Sequence, residues 1–528
     1  MFMVDSVFLN GKIYTMEEED AFVEAIAVFD GKYVFAGTTE EAREIPAREV
    51  IDLAGKTVIP GFTDTHCHLA EMTEAPAKID LMDARSMDDV VDMLKEGLKD
   101  LPEGGWIVGY NLLSALLKEN RLPNRYDLDR VSTEVPVFLS SNCLHNFMGN
   151  SKILELADLK KDYDGPCKEL LVVDENGEPT GNFREHGLLP RITASRPSLL
   201  GNHQETLDAM AASITQCAKW GYTTLHTYDG FGGSELDWLS SYQELERDGK
   251  LNARIIVNRV TGANNSLNVI SGLGDDKVKY GSVKLFMDGT YAEYSAYLQE
   301  PYTDDPSTCG RQTHDDKEMY ELVKDAYEKG NDVAIHMIGD GSVKLAMDIV
   351  EKLYDPHNKA HFEFIHCHLV SPELLERMEK YPIVANMQPI FVKNQSTCTV
   401  HERIGREREK YFHAFKSFLD HGIIVTGGTD GPISNQNPLV GIQCAVTRET
   451  YDGSIFQPQE RLSVYQAVSL YTKNAAYAAH EENKKGTVKI GKLADFIVLD
   501  KNIFEATPQE IGKIQVLNTY LGGKEVTI

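Results

Sequence analysis

The sequence predicts an α/β protein: a (β/α)8 TIM barrel, a small β-sandwich built from both chain ends, and an insertion after the first barrel strand. Three observations carry that prediction. Eight short apolar runs alternate with helical segments through the middle of the chain, the pattern of βα units around a parallel sheet. The two ends share another texture, short alternating runs broken by glycine dipeptides. The first and second apolar runs are separated by far more chain than a crossover helix needs.

Residues 1–57 read as SVFLNGKIYTM, AIAVFDGKYVFAG and REVIDLAGKTVIP, with Asn10-Gly11 and Asp30-Gly31 as hairpin dipeptides, and so predict a small antiparallel unit. GTVKIGKLADFIVLD and IQVLNTYLGGKEV repeat the texture within 485–528. Neither fragment can bury a core alone, so 1–57 plus 485–528 are expected to form one β-sandwich domain. The barrel then occupies 58–484. Its predicted strands lie at 58–69, 221–228, 253–260, 282–288, 332–339, 361–368, 382–390 and 423–430. The helix before the fifth strand shows an apolar stripe of Met319, Leu322, Val323, Ala326 and Tyr327, with Gly330 as its stop.

An insertion at about 85–200 contains strands of its own, WIVGY and VPVFLSS, and a hairpin turning on Asn176-Gly177. It is expected over the barrel mouth. A second excursion at 391–422, with a basic run from His401 to Lys410, reads equally as a lid or as a solvated surface loop.

Composition narrows the function. The chain has 528 residues, enough for one large domain and a smaller one. A formal charge of -28 repels phosphate backbones and anionic lipid, which argues against nucleic acid and membrane as partners. The N-terminus has an acid at Asp5 and no apolar h-region, so a cytoplasmic protein is expected. Eight cysteines without a CxxC pair read as buried thiols, neither a disulfide framework nor a thiolate zinc site.

In a TIM barrel the working residues sit at the C-terminal ends of strands. Strand one ends in His66-Cys67-His68, strand five in His336, strand six in His366 or His368, and strand eight in Asp430; strand four supplies Lys284. Period-two alternation would point both imidazoles of strand one at the barrel axis and Cys67 away. Imidazoles with a carboxylate suit a divalent metal, Zn²⁺ first, with Mn²⁺ or Fe²⁺ as alternatives. Gly427-Gly428 before Asp430 lets the backbone approach that centre. An ammonium aimed at a dication is repelled, and burial favours the neutral amine. Neutral Lys284 can add CO₂ to give a carbamate that bridges two metals; otherwise it leans outward or pairs with Asp288, and the site is mononuclear.

The strings VIPGFTDTHCH, VAIHMIGDG, FIHCHLVSPE and GGTDGP resemble the amidohydrolase superfamily, in matching order along the chain. GWIVGY, LHNFMGNSKILE, GEPTGNFREH, VKLFMDGT, NMQP and GTDGPISNQNP are similar to its YtcJ-like branch, which includes N-substituted formamide deformylases. The resemblance covers nearly the whole chain. It implies His66, His68, His336, His366 and Asp430 as metal ligands and Lys284 as a carboxylated lysine. The branch usually reads EHxQ where this chain has Ile365-His366-Cys367-His368, which puts His366 in the ligand slot and His368 behind it. The resemblance also lifts His145 as an oxyanion donor and Glu185, Asp288, Tyr302 and Gln388 as substrate-binding groups. It implies hydrolysis of a C–N bond in an amide, formamide or cyclic amide of a small-molecule substrate, with Asp430 as the proton shuttle. Deamination of a heterocycle is the competing reading, although His336-Met337-Ile338-Gly339 lacks the glutamate of the HxxE that such enzymes carry; lactone or phosphoester hydrolysis on the same metals is another. A metal-free scaffold would leave many inward-facing polar groups unsatisfied. Barrels of this size often pair, so a homodimer is one assembly open to the chain, although the sequence does not set the oligomeric state.

Overall fold

Eight parallel strands form one continuous sheet in sequential order: Phe62–Cys67, Tyr222–Thr227, Arg254–Val260, Val278–Phe286, Val333–Met337, Phe362–His366, Ile383–Met387 and Ile424–Gly427. Each overlaps a predicted run, the fourth starting at Val278, ahead of the predicted 282. The computed structural model describes residues 3–527 apart from 100, 143, 185, 186, 230–234, 261–268, 292 and 397–399. The ring is drawn together between the eighth and first strands, where the Asp430 N–H donates to the His66 carbonyl at 2.7 Å and the His68 N–H to the Gly431 carbonyl at 2.9 Å. Cys67 and Gly431 pair there as an isolated parallel bridge.

Outer helices pack one apolar stripe each against this sheet. Asp316–Glu328 begins where the Asp315 carboxylate accepts the Glu318 N–H at 2.8 Å, a side-chain N-cap. It buries Met319, Val323, Ala326 and Tyr327 and stops at Gly330, whose φ of 82° suits only glycine well. His203–Lys219 starts with a capping box between Asn202 and Glu205 and buries Leu207, Met210, Ile214 and Cys217.

Two further sheets use the chain ends. One holds four strands, Lys32–Gly37, Ala25–Phe29, Val4–Leu9 and Ala47–Asp52. The other interleaves Lys524–Glu525, Val516–Leu521 and Phe496–Leu499 with Thr57–Pro60, Lys12–Tyr14 and Phe22–Val23. Phe8, Ile26 and Tyr33 of the first sheet share a core with Ile13, Val58, Phe496 and Tyr520 of the second. Asp30-Gly31 makes its hairpin, with φ of 50° and 74°. Asn10-Gly11 does not: the chain turns there but passes from one sheet to the other, because Lys12–Tyr14 takes Thr57–Pro60 as its parallel neighbour. Only Gly61 separates that neighbour from the first barrel strand, and Arg254 at the base of the third strand grips Asp495 through two bonds of 2.7 and 2.8 Å.

The long segment after the first strand carries a six-stranded sheet ordered Leu171–Val173, Pro179–Arg184, Asn146–Gly149, Val137–Ser141, Ile107–Leu112 and Ile79–Asp80. Period-two alternation divides its side chains between two cores. Ile107, Leu139 and Met148 face one, Val108, Phe138 and Phe147 the other. The hairpin at Asn176-Gly177 forms, with Gly177 at φ 78°. The six described cysteines are all free. Among the described residues no helix is long and apolar enough to cross a membrane.

Candidate metal centre

The first strand reaches the site through a β-bulge. Asp64 pairs with Leu225 and Cys67 with Thr227, so three steps on one strand span two on its neighbour. Such a bulge re-aims side chains next to a site. It sets the His66 and His68 rings edge to face at 5.3 Å, both Nε2 atoms turned to the same Asp430 oxygen, Oδ1, at 3.4 and 3.0 Å. Cys67 lies in the apolar core, as alternation alone would have it.

The sixth and eighth strands end in strained backbone. His366, Cys367 and Asp430 have φ of 66°, 42° and 57°, the left-handed region that non-glycine residues seldom enter. The turn brings His366 against His66, ring centroids 5.2 Å apart. Donor atoms of His66, His366 and Asp430, all buried, lie within 4.8 Å of one another. The His336 ring is 4.7 Å from that of His366. Five ligand candidates from four strands thus gather in one region, three of them close enough to share one ion.

Hydrogen bonding of the outer nitrogens fixes which lone pairs face inward. His68 Nδ1 contacts the Tyr228 carbonyl at 3.0 Å, His366 Nδ1 the Gln388 Oε1 at 2.7 Å, and His336 Nε2 the Gly289 carbonyl at 3.2 Å. Each of these nitrogens must be the N–H, which leaves the other as an acceptor. For His68 that acceptor sits 3.0 Å from a carboxylate oxygen. Two lone pairs at that separation repel unless a proton or a dication lies between them. His66 Nδ1 is buried without a hydrogen-bond partner. The donor set therefore fits a divalent cation.

Electrostatics agree. Burial lowers the imidazole pKa of His66 to about 3 and keeps His366 and His336 well below the usual range, neutral as ligands must be, whereas burial of His68 is outweighed by the Asp430 carboxylate, which raises it. Burial alone would raise the Asp430 carboxyl, and the two facing histidines more than reverse it. Lys284 is buried on the fourth strand, its Nζ 4.9 Å from the Tyr228 ring centre and 5.3 Å from that of Phe286. Burial pulls its ammonium down to about 7, against the charges of Asp430 and Glu363.

The remaining predicted residues fall in different places. His145 comes from the inserted sheet and stands over His336, ring centroids 5.5 Å apart. Gln388 holds His366. Asp288 accepts the N–H groups of Tyr297, Ile338 and Gly339 at 2.9 to 3.0 Å, with His336 Nε2 3.7 Å away. Tyr302 donates to the Ala296 carbonyl at 2.8 Å inside an apolar cluster with Tyr291 and Phe412. Glu185 lies outside the described residues. Gly428 behaves as expected: a Cβ there would meet the His66 Cβ and N at 2.8 Å.

Sequence reasoning missed Asp64. Its carboxylate accepts from the Thr429 N–H at 3.0 Å, the Thr429 hydroxyl at 2.5 Å and the His66 N–H at 3.1 Å, and so clamps the first strand to the loop bearing Asp430. The alternation Asp64, His66, His68 was the signal. The excursion at 391–422 also contributes: Phe391, Phe412 and His413 surround His368 at ring separations of 5.8, 5.4 and 4.4 Å. That excursion is moored, since Arg408 donates to the Glu300 and Pro301 carbonyls and Arg403 pairs with Asp304 at 2.8 Å.

Comparison with known proteins agrees with this geometry. The family model described as "Amidohydrolase family" matches residues 49–527. YtcJ of Bacillus subtilis is 32% identical over 528 residues, 99% of each chain, and the N-substituted formamide deformylase of Arthrobacter pascens is 25% identical over 99% of this chain and 98% of its own. An uncharacterized metal-dependent hydrolase from Pyrococcus horikoshii superposes with a TM-score of 0.76 at 26% identity, covering 96% of this chain and 99% of that one. A second such hydrolase, from Pyrococcus furiosus, gives 0.74 at 28%, covering 95% and 100%.

Proposed function

Because the chain belongs to the amidohydrolase family, we propose that it is a hydrolase of C–N bonds in small amides, formamides or cyclic amides. The observation that carries this reading is the convergence of His66, His68, His336, His366 and Asp430 at the C-terminal mouth of the barrel. Residues 58–484 act as the catalytic barrel, with the insertion at about 85–200 supplying part of the mouth, and the β-sandwich of 1–57 plus 485–528 as its support.

The four histidines and Asp430 would hold the cation, zinc by their chemistry, and Lys284 as a carbamate would join a second one. A divalent ion there supplies a Lewis acid and lowers the pKa of water from ~15.7 toward ~7. Asp430 turns Oδ1 to the two histidines, which leaves Oδ2 to take the proton from the attacking water and return it to the departing nitrogen as the C–N bond breaks. His145 reaches in from the insertion to donate to the carbonyl oxygen as negative charge builds on it. Gln388 and Asp288 keep His366 and the 338–339 backbone in register. Tyr302, through its apolar cluster, backs the 291–304 loop.

Purified protein should carry at least one equivalent of transition metal and hydrolyse members of a panel of N-formyl and N-acyl amines. A preparation loaded with zinc or manganese that cleaves none of them would refute the C–N assignment. For Lys284, the Lys284→Ala variant should lose activity and regain part of it with added short carboxylic acids. Turnover equal to the parent protein would rule out a bridging role.

A further inference from the structure

The two strands that carry His336 and His366 at their C-terminal ends begin, at the other mouth of the barrel, beside a second cluster. Asp332 directly precedes Val333–Met337, and His361 directly precedes Phe362–His366. His480 joins them from the turn after the helix Lys473–Ala478. One donor atom from each lies within 4.8 Å of the others. Strand rise separates this cluster from the catalytic centre by roughly 13–17 Å.

Asp332 Oδ1 is the focus. It accepts the His361 backbone N–H at 2.7 Å and meets His480 Nε2 at 2.9 Å. The two imidazoles stack on each other at 3.8 Å, and Tyr477 stacks on His361 at 4.8 Å. His361 is 93% buried, being 7% exposed, and its Nδ1 has no hydrogen-bond partner. A buried imidazole nitrogen with no partner is unsatisfied in either tautomer, and its lone pair in the neutral ring is what a cation would take up. His480 is part exposed and faces a cavity of about 590 Å³ that Asp332 and Glu363 also line. A cation can enter by that route, and the net charge of -28 favours its approach.

We propose that Asp332, His361 and His480 form a second transition-metal site, for zinc or a similar borderline dication, at the N-terminal mouth of the barrel. Two imidazoles and one carboxylate are the ligand types such ions select. The site is independent of the hydrolytic reading, because none of its residues lies at the C-terminal mouth. Its effect is to tie the starts of the fifth and sixth strands to the chain that follows the last barrel helix, a staple that stabilises the fold in proportion to occupancy.

The test uses the full chain equilibrated with chelator-buffered zinc. Metal content by mass spectrometry should fall by one equivalent in both His480→Asn and His361→Gln, with hydrolytic activity at saturating zinc within twofold of the parent protein. Crystals soaked in zinc should give an anomalous peak between the three side chains, a measurement on the parent chain that does not depend on a variant folding. Unchanged stoichiometry in both variants, or soaked crystals without that peak, overturns the site. Loss of hydrolysis in variants that also lose one zinc would overturn the independence claimed here while leaving the C-terminal centre to its own test.

Discussion

Replacing Gln388 by leucine tests the centre at the contact on which its geometry turns. Gln388 is fully buried; its Oε1 accepts from His366 Nδ1 at 2.7 Å and its Nε2 donates to the Asn386 carbonyl at 3.3 Å. Leucine keeps most of the bulk and removes the acceptor, so the imidazole N–H is left buried and unsatisfied. An orphaned buried donor costs about 1–3 kcal/mol, which at ~1.4 kcal/mol per decade is about 5- to 150-fold in metal affinity. Partners of metal-bound histidines typically account for about 10- to 100-fold. Competition with chelators of graded affinity should therefore show zinc bound about 10- to 100-fold more weakly by Gln388→Leu. Turnover at saturating zinc should stay within a few-fold of the parent protein, and Gln388→Glu, which retains an acceptor, should hold zinc at least as tightly. If the leucine variant binds zinc as well as the parent protein, His366 is not a ligand oriented through Nδ1.

Three further outcomes follow from particular contacts. Asp430→Asn should lower kcat by about 10²- to 10⁴-fold while the protein keeps its fold and much of its metal; near-normal kcat would remove the shuttle. Gly428→Ala places a Cβ 2.8 Å from the His66 backbone nitrogen and should destabilise by about 1–3 kcal/mol, read as a lower midpoint in denaturant, with zinc affinity falling alongside. Asp495→Asn should cost about 3–5 kcal/mol by leaving Arg254 buried and unpaired. Burial would raise the Asp495 carboxyl and Arg254 more than reverses it, so its pKa is lower folded than unfolded. Its contribution is accordingly complete above the ordinary aspartate value near ~3.9 and fades as pH falls through the folded value. The parent protein should thus show an acid limb in its stability profile that the asparagine variant lacks.

The barrel was legible because each strand is an apolar run bounded by turn residues, and because HCH, His336, His366 and Asp430 all stand at the trailing ends of such runs. Alternation failed where the backbone departs from it. The left-handed turn at His366 and Cys367 reorients side chains in a way that a period of two cannot express, whereas His66, Cys67 and His68 kept their alternation across the bulge. Asn10-Gly11 had the composition of a hairpin, yet a competing strand at Thr57–Pro60 decided where its C-terminal flank went. Asp64 and Gln388 act through other residues: the alternation with His66 and His68 marked Asp64 only as inward-facing, and the resemblance marked Gln388 for substrate, where the structure has it hold His366. Asp332, His361 and His480 were illegible for a different reason: two sit before strands, and the third comes more than a hundred residues later.

The sheet shared by both chain ends has a consequence for how the protein is made. Thr57–Pro60 leads straight into the first barrel strand, yet one of its edges is covered only by Phe496–Leu499. During synthesis that edge stays open until nearly the whole barrel has emerged, a backbone ribbon able to recruit foreign strands. Vectorial translation thus leaves the earliest segment waiting for the latest, and nascent chains arrested before residue 496 should be the ones that chaperones hold longest.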